Sequence, residues 1–317
     1  MLESVAATEA ERDQNADPLS QALKQATQAT FLSNPNPRVG CTIYSPEGRL
    51  IGEGHTQQAG GPHAEVMALR DAQARGESVV GATVFVTLEP CSHHGRTPPC
   101  CDALIAAQVA KVVVAVGDPN PKVAGQGIER LRAAGVAVDL RPADGSVARA
   151  SRELNIGFFS RMIRKTPWVR MKMAASLDGT TALDNGVSQW ITGETARTDG
   201  HAWRARACAV LTGIGTVLQD DPMLDVRLVQ TPRQPHLVIV DSRLETPLGA
   251  RLFQTPAHGL PRQILIYCAT PAPDRQQALV ARGATVIAMP GRQPGTERKV
   301  DLAAMLLDLG RREVNEL

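Results

Sequence analysis

Four runs in this 317-residue chain are apolar almost without a break: ATVFVTL (82–88), KVVVAVGD (111–118), HLVIVDS (236–242) and QILIYCA (263–269). Continuous runs of this length read as strands buried on both faces. Between them lie stretches with helical spacing. HAEVMALRDAQARG reads as a helix starting at His63, with Ala64, Val66, Met67 and Leu69 available for burial. PPCCDALIAAQ (98–108) opens a helix on proline, and further helices are expected near 126–134 and 145–163. Asp17-Pro18 is an N-cap followed by a first-turn proline, with a helix to about Phe31. VGCTIYS (39–45), RLIGEGH (49–55) and VAVDL (136–140) complete the strands of the first half. Strands alternating with helices indicate a three-layer α/β domain.

The pattern stops at Lys165-Thr166-Pro167 and then restarts. WVRMKMAASLDG (168–179) and CAVLTGIG (208–215) read as strands beside the two later runs, with helices near 193–206 and 274–282. Met171 and Met173 are expected in strand core. Twice the usual domain length agrees with two α/β domains, spanning 17–164 and 165–317. Residues 1–16 carry Glu3, Glu9, Glu11 and Asp13 without an apolar segment, which predicts a disordered tail and no signal peptide.

Composition excludes several classes. A net charge of +2 provides no basic field for a nucleic-acid backbone. Three Trp, two Tyr and five Phe are too few for a base-stacking platform. No apolar stretch is long enough to span a bilayer, so neither nucleic acid nor membrane is an expected partner, and the expected compartment is the cytoplasm. Thiols stay reduced there, so clustered cysteines point to a metal or to catalysis. Cys91, Cys100 and Cys101 are clustered. Cys41, Cys208 and Cys268 lie in expected strands and read as small core residues. His55, His201, His236 and His258 are scattered singly and read as solvated or internally satisfied.

The strongest chemical pattern is His63-Ala64-Glu65 followed by Pro90-Cys91 and, eight residues on, Cys100. One imidazole and two thiolates fill three of the four tetrahedral positions zinc prefers, which is catalytic rather than structural stoichiometry. Zinc makes hydroxide available at neutral pH. Glu65 sits near the start of the same helix as His63 and is placed to shuttle a proton to a departing amine. Both cysteines are expected at or near helix starts, where thiolate is favoured. Cys101 adjoins a ligand, but its side chain should turn about 100° away on a helix. The His-x-Glu and Pro-Cys elements in this order form the signature of zinc-dependent deaminases, with a loop, SHHGRTPP, wider than the usual two residues between the cysteines.

That widened loop belongs to one subfamily. The run TLEPCSHHGRTPPCCDALI, with NPNPRVGC before it and DPNPKVAGQG after it, resembles the RibD family of bifunctional riboflavin-biosynthesis proteins. The resemblance continues through KMAASLDGTTA, SQWITG, TVLQDDPMLDVR and VIVDS, and covers residues 17–317. It implies a cytidine-deaminase-like α/β/α domain followed by a dihydrofolate-reductase-like α/β domain. The first would deaminate a diaminopyrimidinone ribosylamine 5′-phosphate with one zinc ion. The second would use NADPH to reduce the ribosyl group to a ribityl chain. The partners implied are small-molecule pyrimidine ribosylamine phosphates, and a homo-oligomer is expected. By motif match, His63, Cys91 and Cys100 hold the zinc and Glu65 shuttles the proton, while Asn36, His93, Arg96, Asp118 and Asn120 contact the deaminase substrate. Ser188, Arg204, Leu224 and Arg227 belong to the reductase substrate, the arginines being natural phosphate partners. Ala174, Trp190, Thr216, Asp220 and Ser242 belong to the cofactor, and Lys172 and Asp178 lie in an element that lines the site.

Read from its residues alone, the second half is less specific. Gly213-x-Gly215 lacks a third glycine at the dinucleotide fingerprint spacing, and Asp220-Asp221 would be read as a solvated turn. The family continues with a strand and a glycine-containing loop opening a helix, a natural seat for a diphosphate. Here Val314–Leu317 occupies the position where that strand begins. The expectation is a reductase domain short at its C-terminus, with residues 314–317 lacking sheet partners and this domain the less stable. Deaminase activity alone is the alternative reading. A nucleic-acid base deaminase and a non-catalytic zinc module are opposed by the charge and by the three-ligand count, respectively.

Overall fold

The computed structural model describes residues 17–317 apart from 94, 96, 122 and 189, so the expected tail, 1–16, lies outside the described residues. The chain divides into two compact units, one ending at Ile163 and the other spanning Arg164–Leu317.

In the first unit, helix α1 (Pro18–Gln28) starts where Asp17 accepts a hydrogen bond from the Ser20 N–H at 3.2 Å. Strands β1 (Gly40–Tyr44) and β2 (Leu50–His55) form an antiparallel pair. Helix α2 (Ala64–Ala74), β3 (Thr83–Val86), α3 (Cys100–Ala106), β4 (Lys111–Val114), α4 (Gln126–Ala133) and β5 (Ala137–Leu140) follow. The sheet order is β2-β1-β3-β4-β5, and β3, β4 and β5 are parallel. Side chains alternate between two cores. Val84, Val86, Val112 and Val114 face Ala64, Ala68 and Leu104 of the helices α2 and α3. Val113 and Ala115 face Leu19 of α1, with Phe85 and Val147 packed against them. Both faces are covered, which is why β3 and β4 are apolar along most of their length.

The helices approach the sheet closely because glycine lines their path. A Cβ at Gly40 would lie 1.9 Å from the Ala22 carbonyl oxygen of α1, and one at Gly54 would lie 2.6 Å from the Ala68 nitrogen of α2. The helix expected over 145–163 is two helices, α5 (Ser146–Leu154) and α6 (Ile156–Arg164). They meet at Asn155. Its buried side-chain amide accepts from the Arg38 N–H at 2.7 Å and donates to the Arg38 carbonyl at 2.9 Å. This tie anchors the loop between α1 and β1. Asn155→Ala removes both of these buried bonds, so we expect about 2–4 kcal/mol of destabilisation. A denaturant midpoint followed on the first unit checks this, and a midpoint equal to wild type would contradict it.

In the second unit, helix α7 (Glu194–Arg206) leads to β6 (Ala209–Gly213), α8 (Ile214–Asp220), β7 (His236–Val240), β8 (Ile264–Cys268), α9 (Pro273–Ala281), β9 (Ala284–Ala288) and α10 (Leu302–Arg311). The four strands are parallel in the order β6-β7-β8-β9. Leu237, Ile239, Ile264 and Ile266 pack into one core, and Val238, Leu265 and Tyr267 into another with Met305 and Leu309 of α10. The strand expected over 168–179 is not formed. Pairing there is confined to the bridge at Trp168 and a bond from the Arg170 N–H to the Leu317 carbonyl. Met171 and Met173 are therefore exposed, at 82% and 66%, rather than core residues. Residues 314–317 also differ from expectation, since they have partners on both sides. Trp168 and Arg170 bond to one side, the Cys208 and Ala209 N–H groups donate to the Glu316 carbonyl, and Val314 and Leu317 are buried. The Glu316 carboxylate, also buried, accepts from the Arg206 guanidinium at 2.7 Å.

Candidate functional site

The end of β3 and the starts of α2 and α3 meet at one point of the first unit. His63 is the N-cap of α2, yet its side chain makes no capping bond, which leaves the imidazole free for other work. Cys100 is the first residue of α3. Cys91 lies in the loop after Pro90 and not at a helix start, a correction to the expectation that helix dipoles act on both thiols. The thiol of Cys91 is instead served by the Cys100 N–H, which donates to its Sγ at 3.3 Å. His63 Nδ1 lies 3.6 Å from Cys91 Sγ and 3.3 Å from Cys100 Sγ, and the three donor atoms all fall within 4.8 Å of one another. The other ring nitrogen, Nε2, faces the Thr97 hydroxyl at 3.5 Å.

Charge distribution in this cluster suits a cation. The Cys91 thiol is pulled down to about 4, chiefly because it accepts a hydrogen bond from the Cys100 thiol, with His63 adding to the effect. Cys100 moves the other way, because its proton is held by Cys91 and because it is buried beside Glu65. The pair thus shares one proton, carried by Cys100. Donation toward Cys91 raises the His63 imidazole. Such protons are displaced when a metal binds, so a soft, doubly sulfur-ligated cation fits the site and zinc is the natural occupant. Glu65, 3% exposed, sits beside the ligands. Burial pushes its carboxyl up, and the Cys91 thiolate pushes it further in the same direction. A carboxyl held above its ordinary range is suited to accept and return a proton.

The residues expected to contact the deaminase substrate stand differently in the structure. Asp118 follows β4, its carboxylate accepts from the Asn120 N–H at 2.7 Å, and burial pushes it up to about 7. Asn36 lies half-buried in the loop between α1 and β1. His93 Nδ1 and Ser92 Oγ are buried without a hydrogen-bond partner among the described residues, so both are free to meet a polar ligand. Arg96 lies outside the described residues. Cys101 points away from the cluster, its thiol donating to the carbonyls of Pro90 and Gly127, and burial raises it to about 12. Cys41, Cys208 and Cys268 are buried.

In the second unit the structure brings together part of the expected reductase set. Arg204 of α7 donates to the Asp225 carbonyl at 2.8 Å, and Arg227 forms an ion pair with the Asp225 carboxylate at 2.9 Å. Burial pushes Asp225 up, but donation from the Ala257 N–H and from Arg227 outweighs it and holds the carboxyl low. Leu224, between these residues, has a left-handed backbone with φ 52°. His201 Nδ1 accepts from the Arg227 N–H at 3.2 Å, and burial beside Arg204 and Arg227 pushes it down to about 4. It is an internally satisfied histidine. Arg262 donates to the carbonyls of Met223 and Leu252 and so holds the same loop. Sequence reasoning missed Asp225, His201 and Arg262 as organisers, because most of their partners lie 10 to 39 residues away along the chain. Thr216 and Asp220 lie on α8, and Ser242 Oγ accepts from the Val300 N–H at 3.3 Å. Half-buried Ala174 and the exposed Lys172, Asp178, Ser188 and Trp190 lie on the 171–193 stretch, and among the described residues none of them is hydrogen-bonded to Arg204 or Arg227. Trp190 stacks under the Arg197 guanidinium at 4.7 Å.

Comparison with known proteins agrees with both halves. Residues 12–116 match the cytidine and deoxycytidylate deaminase zinc-binding region, and residues 167–317 match the RibD C-terminal domain. The Escherichia coli riboflavin biosynthesis protein RibD is 42% identical over 311 residues, covering 94% of this chain and 79% of that protein. Acinetobacter baumannii RibD superposes with a TM-score of 0.79 at 40% identity, covering 97% of this chain and 80% of that one. A diaminohydroxyphosphoribosylaminopyrimidine deaminase/5-amino-6-(5-phosphoribosylamino)uracil reductase from Thermotoga maritima gives 0.78 at 32% identity, covering 94% and 78%. A three-donor metal cluster beside a buried carboxyl, followed by a RibD C-terminal domain, places this chain in the RibD family of bifunctional deaminase–reductases of riboflavin biosynthesis.

Proposed function

We propose that this chain deaminates 2,5-diamino-6-(ribosylamino)pyrimidin-4-one 5′-phosphate and then reduces the ribosyl group of the product to a ribityl chain with NADPH. The carrying observation is the His63, Cys91, Cys100 donor set with Glu65 buried beside it. Residues 17–164 form the deaminase domain in this reading and 165–317 the reductase domain. Bound by those three side chains, zinc supplies the Lewis acidity that makes a water acidic near neutral pH. Glu65 takes a proton at its carboxylate and returns it to the exocyclic nitrogen, so that water and the amine become a ring carbonyl and ammonia. Asp118, Asn120, Asn36 and His93 orient the ring and ribose, with Arg96 assigned to the phosphate.

In the reductase, Arg204 and Arg227 hold the substrate phosphate and Ser188 and Leu224 border the sugar, while Ala174, Trp190, Thr216, Asp220 and Ser242 hold NADPH. Paired guanidinium groups fixed by Asp225 match a phosphate dianion in charge and in fork geometry. We place the enzyme in the cytoplasm as a homo-oligomer acting on small molecules. No helix among the described residues is long and apolar enough to cross a membrane. The test is ammonia release from the diamino substrate, followed by NADPH oxidation on the deaminated product. Ammonia without NADPH oxidation would support deaminase activity alone, and the absence of ammonia would refute the reading of the metal cluster.

A further inference from the structure

We infer that Glu89 is a positioning residue for the deaminase reaction, one that locks the Asp118–Asn120 loop to the metal-ligand strand. This rests on the deaminase reading above. Glu89 directly precedes Pro90-Cys91 and is 4% exposed. Its carboxylate has no cation partner among the described residues. It accepts instead from four backbone N–H groups, all from one distant segment. Oε2 takes Asp118 at 3.2 Å and Gly125 at 3.0 Å, and Oε1 takes Gly127 at 3.0 Å and Ile128 at 3.3 Å. Four N–H donors on one buried carboxylate fill its acceptor capacity, which is a built arrangement and not an accident of burial.

The geometry joins two parts of one site. On one side is the chain that carries Cys91. On the other are Asp118, Asn120 and the first turn of α4. The Glu89 N–H also donates to the Val116 carbonyl at 3.0 Å, which extends the β3–β4 ladder to the loop itself. There is no slack between the parts. A Cβ at Gly127 would lie 2.0 Å from the Pro90 carbonyl oxygen, and Arg130 of α4 donates to the Ser92 carbonyl at 3.1 Å. The Glu89 carboxylate bonds to the four backbone N–H groups and to none of the three ligand atoms. Its effect on catalysis therefore passes through where Asp118 and Asn120 stand.

Glu89→Gln is the sharp test, because an amide nitrogen in either orientation faces two N–H groups that need an acceptor. Measured on the full, zinc-loaded chain, the KM for the diamino substrate should rise about 10–100-fold, with kcat within about threefold and zinc unchanged. Amide hydrogen exchange at Asp118, Gly125, Gly127 and Ile128 should accelerate, with the rest of the sheet unaffected. Glu89→Asp keeps the charge with a shorter reach and should show a smaller KM increase. It carries the same measurements if Glu89→Gln does not accumulate. An unchanged KM, or loss of zinc together with kcat, would overturn the inference. If wild type releases no ammonia, the deaminase reading fails. Exchange then still decides the lock, because unchanged protection at those four amides would refute it and faster exchange there alone would support it.

Discussion

Glu65→Gln should abolish most deamination while leaving the first unit folded and its zinc in place. The carboxyl is buried, and burial and the Cys91 thiolate raise it above the ordinary carboxylate range, which suits it to accept and return a proton. Glutamine preserves the shape, but it cannot carry a proton from water to the leaving nitrogen. Positioned proton transfer is worth about 10²-fold or more, equivalent to about 2.7 kcal/mol of transition-state stabilisation. One side chain here serves both the attacking and the leaving group, so no second acid stands in for it. Ammonia release measured alongside metal content checks this. Turnover near the wild-type rate with zinc retained would transfer the acid–base role to another group.

Cys91→Ala should have the larger effect on composition, lowering zinc from about one equivalent to a small residue and ending deamination with it. Zinc held by three protein donors has no fourth side chain to fall back on. The change removes the one thiol already held as thiolate at neutral pH, and it also removes the acceptor for the Cys100 N–H. Cys100 and His63 remain, a pair of donors that leaves half of zinc's tetrahedral positions without a protein ligand. Because binding must expel the Cys100 proton, zinc affinity in the wild type should fall as pH falls. NADPH oxidation on the deaminated product should survive in Cys91→Ala, since the second unit is separately compact. Zinc retained at one equivalent in purified Cys91→Ala would remove Cys91 from the ligand set.

How much of this was legible in the sequence depended on whether a signal was local. The ligands were legible because each is tied to a local element boundary: His63 caps α2, Cys100 opens α3 and Cys91 follows Pro90. Glu89 lies inside the same motif yet carried no signal of its role, since its four donors come from 29 to 39 residues away. Asn155 was hidden in the same way. Its neighbours read as continuous helix, and only its bonds to Arg38 require the break. The stretch 168–179 misled in the opposite direction. Val169, Met171 and Met173 alternate as a strand should, but a strand exists only where a neighbour supplies hydrogen bonds, and here that pairing ends at Arg170. Helices α8 and α10 and strand β9 were not anticipated at all.

The sequence by itself determined the two α/β units, the strands β1 to β8 and the candidate metal-ligand set. Each of these follows from side-chain chemistry within a single element: apolar runs must be buried on both faces, and thiolate and imidazole prefer zinc. Only the tertiary structure decided which carboxylate holds the Asp118 loop, how Asp225 and His201 arrange the two reductase arginines, and that residues 314–317 are paired on both sides. Those outcomes are bonds between segments far apart in the chain. A backbone N–H or a buried carboxylate is chemically the same in any sequence context, and its partner is chosen by what the fold brings within 3 Å of it.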